Sequence, residues 1–89
     1  MDKKFNYQRV EVVWYDIQNA SGSWLTESDV LNHKLAECTS VGFLFSKNRN
    51  MIKLFSSWSH NVDQTDFGDV VAIPAGCIKS ITVIWKKLF

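Results

Sequence analysis

The chain has one proline, two cysteines and four glycines in 89 residues, and no apolar run near the roughly 20 residues that a membrane-spanning helix needs. Charge of one sign is also missing. Ten basic against nine acidic residues leave a formal net charge of +1, which argues against a dedicated nucleic-acid surface, since such domains display a basic excess. Cys38 and Cys77, even taken with His33 and His60, have no recognisable zinc spacing. Each cysteine sits where a small buried apolar residue also fits, so free thiols are expected. The lysines of Met1-Asp2-Lys3-Lys4-Phe5-Asn6 are not followed by an apolar stretch, so no signal peptide is expected and a reducing cytoplasm is the expected compartment. Repeats, low-complexity segments and linkers are absent, and residues 1–89 read as a single domain.

Catalytic signatures are missing too. There is no Gly-x-Ser-x-Gly nucleophile elbow and no glycine-rich phosphate cradle. Ser57, His60 and Asp63 or Asp66 lie near one another in sequence, but a triad is defined by geometry rather than spacing. Asp16 and Asp69 as a carboxylate pair compete with the ordinary role of loop acids, capping turns. The chain therefore reads as non-enzymatic, with no cofactor.

What is present is a core-forming composition: 46% hydrophobic, 13% aromatic, four tryptophans. A chain of this length buries only about 60 to 65% of the surface its unfolded form exposes, so its stability is modest. Residues 7–15 alternate as a first strand, with Val10, Val12 and Trp14 on one face. Residues 16–23 have turn composition. Thr26 followed by Glu27, Ser28 and Asp29 resembles a helix start, with a hydroxyl cap and acids in the first turn. For residues 24–35 two conformations stay open, a short helix or an irregular loop folded over a barrel mouth. Residues 37–46 form the second strand, in which Gly42 marks a bend or a close backbone approach. Residues 47–50 form a hairpin turn with Asn48 or Asn50 at positive φ. Residues 51–58 form the third strand, with Ile52, Leu54, Ser56 and Trp58 on one face, and the polar residues 59–66 form a solvated loop.

Residues 67–88 organise the rest. Val70, Val71 and Ile73 give a short strand; Pro74 removes a ladder donor and Gly76 permits positive φ, so pairing stops there. Ile81, Val83 and Trp85 then restart a strand. Two strands joined by one turn of about 3₁₀ size are how small SH3-like and Sm-like barrels close. The expected fold is all-β, a small five-stranded SH3-like or Sm-like barrel with a possible short helix after the first strand.

Five landmarks occur in order along the chain: Val12-Val13-Trp14-Tyr15-Asp16, Trp24 after a Ser/Gly loop, Cys38-Thr39-Ser40-Val41-Gly42, Leu54-Phe55-Ser56-Ser57, and Ile73-Pro74-Ala75-Gly76-Cys77-Ile78. Together they resemble a family of small, mostly uncharacterised bacteriophage-encoded proteins. The chain departs from that pattern by extra residues between Trp24 and Cys38 and by its residue 58–66 loop. The resemblance implies a protein made in the cytoplasm of an infected host, and it brings no list of functional residues.

Candidate binding residues come from the aromatics and the polar strand end. Trp14 and Trp85 fall on inward faces and read as core. Trp24 and Trp58 sit beside loops, where a ring is either a lid on the core or an exposed contact. Serines beside a ring, a lysine and a histidine can hold phosphate or ribose while the ring stacks on a base; the plainer alternative is a polar strand end fraying into a loop. The expected site is Trp24, Arg49, Lys53, Ser56, Ser57, Trp58 and His60. Given the phage resemblance, its expected ligand is a small anion, such as a cyclic nucleotide messenger of host antiviral defence. The alternatives are a host protein, bound at a strand edge or at an apolar patch around Trp24 and Phe55, and a minor virion component. Self-association is also expected, because a short open barrel exposes unpaired edges. Phe5, Tyr7, Leu88 and Phe89 suit such a contact, or simply close the barrel base. The lysines at 79, 86 and 87 flank the last strand.

Overall fold

Alternation of Val10, Val12 and Trp14 with Glu11, Val13 and Tyr15 places strand β1 (Arg9–Asp16) inside the main sheet, with a neighbour on each side. The computed structural model describes residues 6–20, 22 and 24–84. β2 (Ala36–Lys47) pairs with β1 from Arg9↔Phe43 to Asp16↔Ala36, and β7 (Ile78–Val83) pairs along its other edge. β3 (Met51–Phe55) lies against β2, and β6 (Val71–Pro74) lies against β3. The sheet is antiparallel in the order β6-β3-β2-β1-β7. One of its faces carries the aliphatic core: Val10, Val12, Ile52, Leu54 and Ile73 are buried, with Trp14, Leu44, Cys77, Ile78 and Ile81 packed around them. Trp14 is inward as expected, and its indole Nε1 donates to Ser40 Oγ at 3.0 Å. Trp85, Lys86, Lys87, Leu88, Phe89 and Phe5 lie outside the described residues.

The all-β class is as expected, and so is the tight 3₁₀ turn, Ala75–Cys77. Gly76 stays out of the left-handed region there. That turn joins the two edges of the sheet. In a flat five-stranded sheet those edges stand about 19 Å apart, whereas the step from Pro74 to Ile78 spans at most about 14 Å. The sheet must therefore curl. A closed five-stranded barrel is not what forms: among the described residues β6 and β7 are unpaired edges, and two further strands make a separate sheet.

Curling brings backbones close at Gly42. A Cβ there would sit 3.1 Å from the Phe55 carbonyl oxygen and 3.3 Å from Leu54 Cβ, the close approach its place in a strand predicts. The β2–β3 turn reaches its geometry differently from expectation, since neither Asn48 nor Asn50 has positive φ. Asn48 Oδ1 instead accepts from the backbone N–H groups of Asn50 (2.8 Å) and Met51 (3.0 Å), an Asx-type turn made by the side chain. Cys38 and Ile78 both pair with Trp14, so Cys38 and Cys77 lie about two strand spacings apart, roughly 10 Å and beyond disulfide reach. Both thiols are free.

Of the two conformations open for residues 24–35, the short helix forms. α1 (Glu27–Leu31) starts with a capping box, in which Thr26 Oγ1 accepts from Asp29 N–H and Asp29 Oδ2 accepts from Thr26 N–H, both at 3.1 Å. It buries no residue. A contact between His33 Nε2 and the Gln18 carbonyl draws the two sides of the β1–β2 connection together.

Two outcomes follow from this packing. Gly42→Ala is expected to cost about 1–3 kcal/mol, because the obstructing atom is backbone that cannot give, and the urea midpoint checks it. Thr26→Ala is expected to speed amide exchange at Val30 and Asn32, whose N–H groups bond back to Thr26 and Ser28, while leaving that midpoint in place. Hydrogen bonding from the Thr26 backbone, then from its hydroxyl, holds the Asp29 carboxyl below its ordinary value of 3.8. The capping box is thus complete above the unfolded aspartate range and is lost as pH falls through the lower folded value. The Thr26 amide resonance should titrate there and not near neutrality.

Candidate functional site

Phe55 is the last residue of β3 and the only fully buried side chain described on the sheet face opposite the aliphatic core. Its partner across the ladder is Phe43, so the two rings share that face, with centroids 5.6 Å apart. A bulge between Leu44 and Ser46 follows, and Phe45 joins the cluster at 6.3 Å from Phe55. Tyr7 packs edge-on at 5.0 Å and Phe67 at 4.8 Å. The second face of the sheet is therefore an aromatic layer. The pairs made by Phe55 have the edge-on or tilted geometry that ring quadrupoles favour, while Tyr7 and Phe45 stack at 6.0 Å.

The chain leaves the main sheet immediately after Phe55, which corrects the single strand expected over residues 51–58. Ser56 is a bend whose N–H donates to the Gly68 carbonyl at 3.2 Å. β4 (Ser57–His60) then pairs with β5 (Thr65–Gly68), so much of the loop expected over residues 59–66 is a hairpin. Its turn closes through Asn61 N–H to the Gln64 carbonyl at 2.8 Å, and the side-chain amides of Asn61 and Gln64 both donate to the Asp66 carboxylate. All four residues of β4 are exposed, so no apolar alternation marks the strand in the sequence. Asp69, at φ 56°, turns the chain from β5 toward β6.

This break at Ser56 moves Trp58. It does not share a face with Ile52 and Leu54; it packs edge-on against Phe43 (5.5 Å) and Phe55 (6.1 Å) and keeps 39% of its surface exposed. Between the two sheets lies an open groove of about 140 Å³, lined by Phe45, Lys53, Leu54, Phe55, Phe67 and Val70. Lys53 is the only charged group in that lining, and its neighbours are apolar.

The other expected site residues are dispersed. Arg49 is exposed on the β2–β3 turn, and Ser56 is exposed at the bend. Ser57 Oγ donates to Asp69 Oδ2 at 3.2 Å, and His60 Nδ1 meets Thr65 Oγ1 at 3.3 Å. Ser57 and His60, three apart on a strand, point to opposite faces. Trp24 is 93% exposed and lies in the β1–β2 connection, whose ladder end is about 23 Å from the Arg9↔Phe43 end that abuts the aromatic layer. Lys79 is also occupied: it pairs with Glu37 at 3.0 Å, which raises its pKa above the usual lysine value. No group of three or more metal-ligating side chains is found among the described residues. Sequence reasoning missed Phe45, Phe67 and Val70; the available signal was Phe43 and Phe45 alternating with Gly42 and Leu44, a strand apolar on both faces.

No protein-family model, curated protein or solved structure matches the chain.

Phe55→Ala removes the shared contact of five rings and is expected to cost about 3–5 kcal/mol, whereas Trp58→Ala, which removes a half-exposed ring, should cost clearly less. Urea denaturation of both variants measures the ranking.

Proposed function

We propose that this chain is a non-enzymatic binding module of SH3-like topology whose groove takes an apolar protein segment bearing an acidic side chain. The observation that carries the reading is the groove itself: aromatic and aliphatic walls between the two sheets, with Lys53 as the one charge. Apolar walls supply affinity to a peptide, and a single cation at the rim fixes its register by pairing with a carboxylate. The SH3-like assignment draws support from the strand order β6-β3-β2-β1-β7 and from the 3₁₀ turn that links its two edges. In line with the resemblance, the module is a phage accessory protein acting in the host cytoplasm.

A small-anion site at the strand-end hydroxyls and imidazole is less well supported. Ser57 and His60 are hydrogen-bonded within the hairpin, and the acids Asp66 and Asp69 stand beside them. A nucleotide ligand remains the second reading, favoured by Lys53 with Arg49 on the adjoining turn.

Selection from a random peptide display library against the folded chain tests the first reading. The expected result is enrichment of aromatic or aliphatic peptides with an Asp or Glu, lost in Lys53→Glu and in Phe67→Ser. Enrichment that both variants leave unchanged overturns it. Calorimetric binding of a cyclic dinucleotide, abolished by Lys53→Glu, would move the conclusion to the second reading.

A further inference from the structure

Residues 24–35 present an apolar surface with nothing beneath it. Trp24, Leu25, Val30, Leu31 and Leu35 are all exposed, Leu31 by 76%, and the helix that carries two of them buries nothing.

We propose that the occupant of the groove is the arm formed by residues 24–35 of a second copy of this chain, exchanged reciprocally. The proposal rests on the groove being a docking site, as argued above, and names its partner. Two features select a second copy. The arm and the groove lie at opposite ends of the β1–β2 ladder, so two copies aligned antiparallel bring each arm over the other's groove in one two-fold arrangement, which closes and does not propagate. Their charges are complementary: the arm carries Glu27, an acid without an ion pair among the described residues, and the groove carries Lys53, which likewise has none. Asp29 is committed to the capping box and leaves Glu27 as the free acid of that turn.

Sedimentation equilibrium of the full chain is the test. The expected mass is twice 10.2 kDa, falling to the monomer in Leu31→Glu and separately in Lys53→Glu. Combining Glu27→Lys with Lys53→Glu in one chain restores the dimer, a rescue that a merely structural role for either residue would not produce. Leu31 and Glu27 are exposed, so these variants keep the fold, which the urea midpoint verifies. A wild-type chain that sediments as a monomer at its highest soluble concentration overturns the proposal, as does a dimer indifferent to Leu31→Glu. The two readings fail separately: a monomeric chain that still selects peptides through Lys53 overturns arm exchange alone. A groove that selects nothing even in Leu31→Glu overturns the docking reading as well.

Discussion

The Phe55 ring is the contact on which this architecture depends. With 1% of its surface exposed and five other rings around it, it ties Tyr7 ahead of β1, the second half of β2, the end of β3 and both strands of the second sheet to one point. The second sheet has no core of its own. Its strand β4 is exposed, no residue of β5 is fully buried, and two-stranded hairpins of that kind are marginal alone. What seats the hairpin on the molecule is Trp58 and Phe67 packing on Phe55, helped by the Ser56 bond to Gly68.

That arrangement gives one sheet two unlike faces. The aliphatic side is closed by the curl that the 3₁₀ turn imposes, and the close approach of Gly42 to the Phe55 carbonyl is its local signature. The aromatic side is closed only in part. Six rings cover it, yet Phe45 keeps nearly half its surface and a groove stays open beside the Phe45–Phe67 contact, bounded by Lys53 and Val70. Buried apolar area drives both layers, and the second leaves apolar wall in contact with water. The groove is left because the hairpin does not cover the whole layer that anchors it.

The opposite end of the β1–β2 ladder shows the complementary condition. Its connection has well-made local structure, with a full capping box and the His33 contact to Gln18, and no tertiary burial at all. Local bonds shape such a segment without fixing it against a core. The arm holds its apolar residues out on a preorganised segment, and its Glu27 has no ion pair among the described residues.

Much of this was legible in the sequence, for a physical reason that differs by element. Strands with one buried face print their pairing as alternation, so β1, β2 and β7 and the inward Trp14 could be read directly; proline beside glycine announced the turn at Ala75–Cys77, and Thr26 with Asp29 announced the helix start. Local chemistry of that kind acts over a few residues, and the sequence holds all of it. The hairpin Ser57–His60 with Thr65–Gly68 was hidden because a strand with no buried face has no period to display. The face taken by Trp58, the replacement of a positive-φ asparagine by the Asn48 side-chain turn, and the groove of Phe45, Lys53, Phe67 and Val70 depend on which segments meet across dozens of residues. The sequence by itself determined an all-β chain with its core strands, its helix cap and its edge-joining turn. Only the tertiary structure decided that the chain bends at Ser56, and with it which aromatic rings meet and where apolar surface is left open.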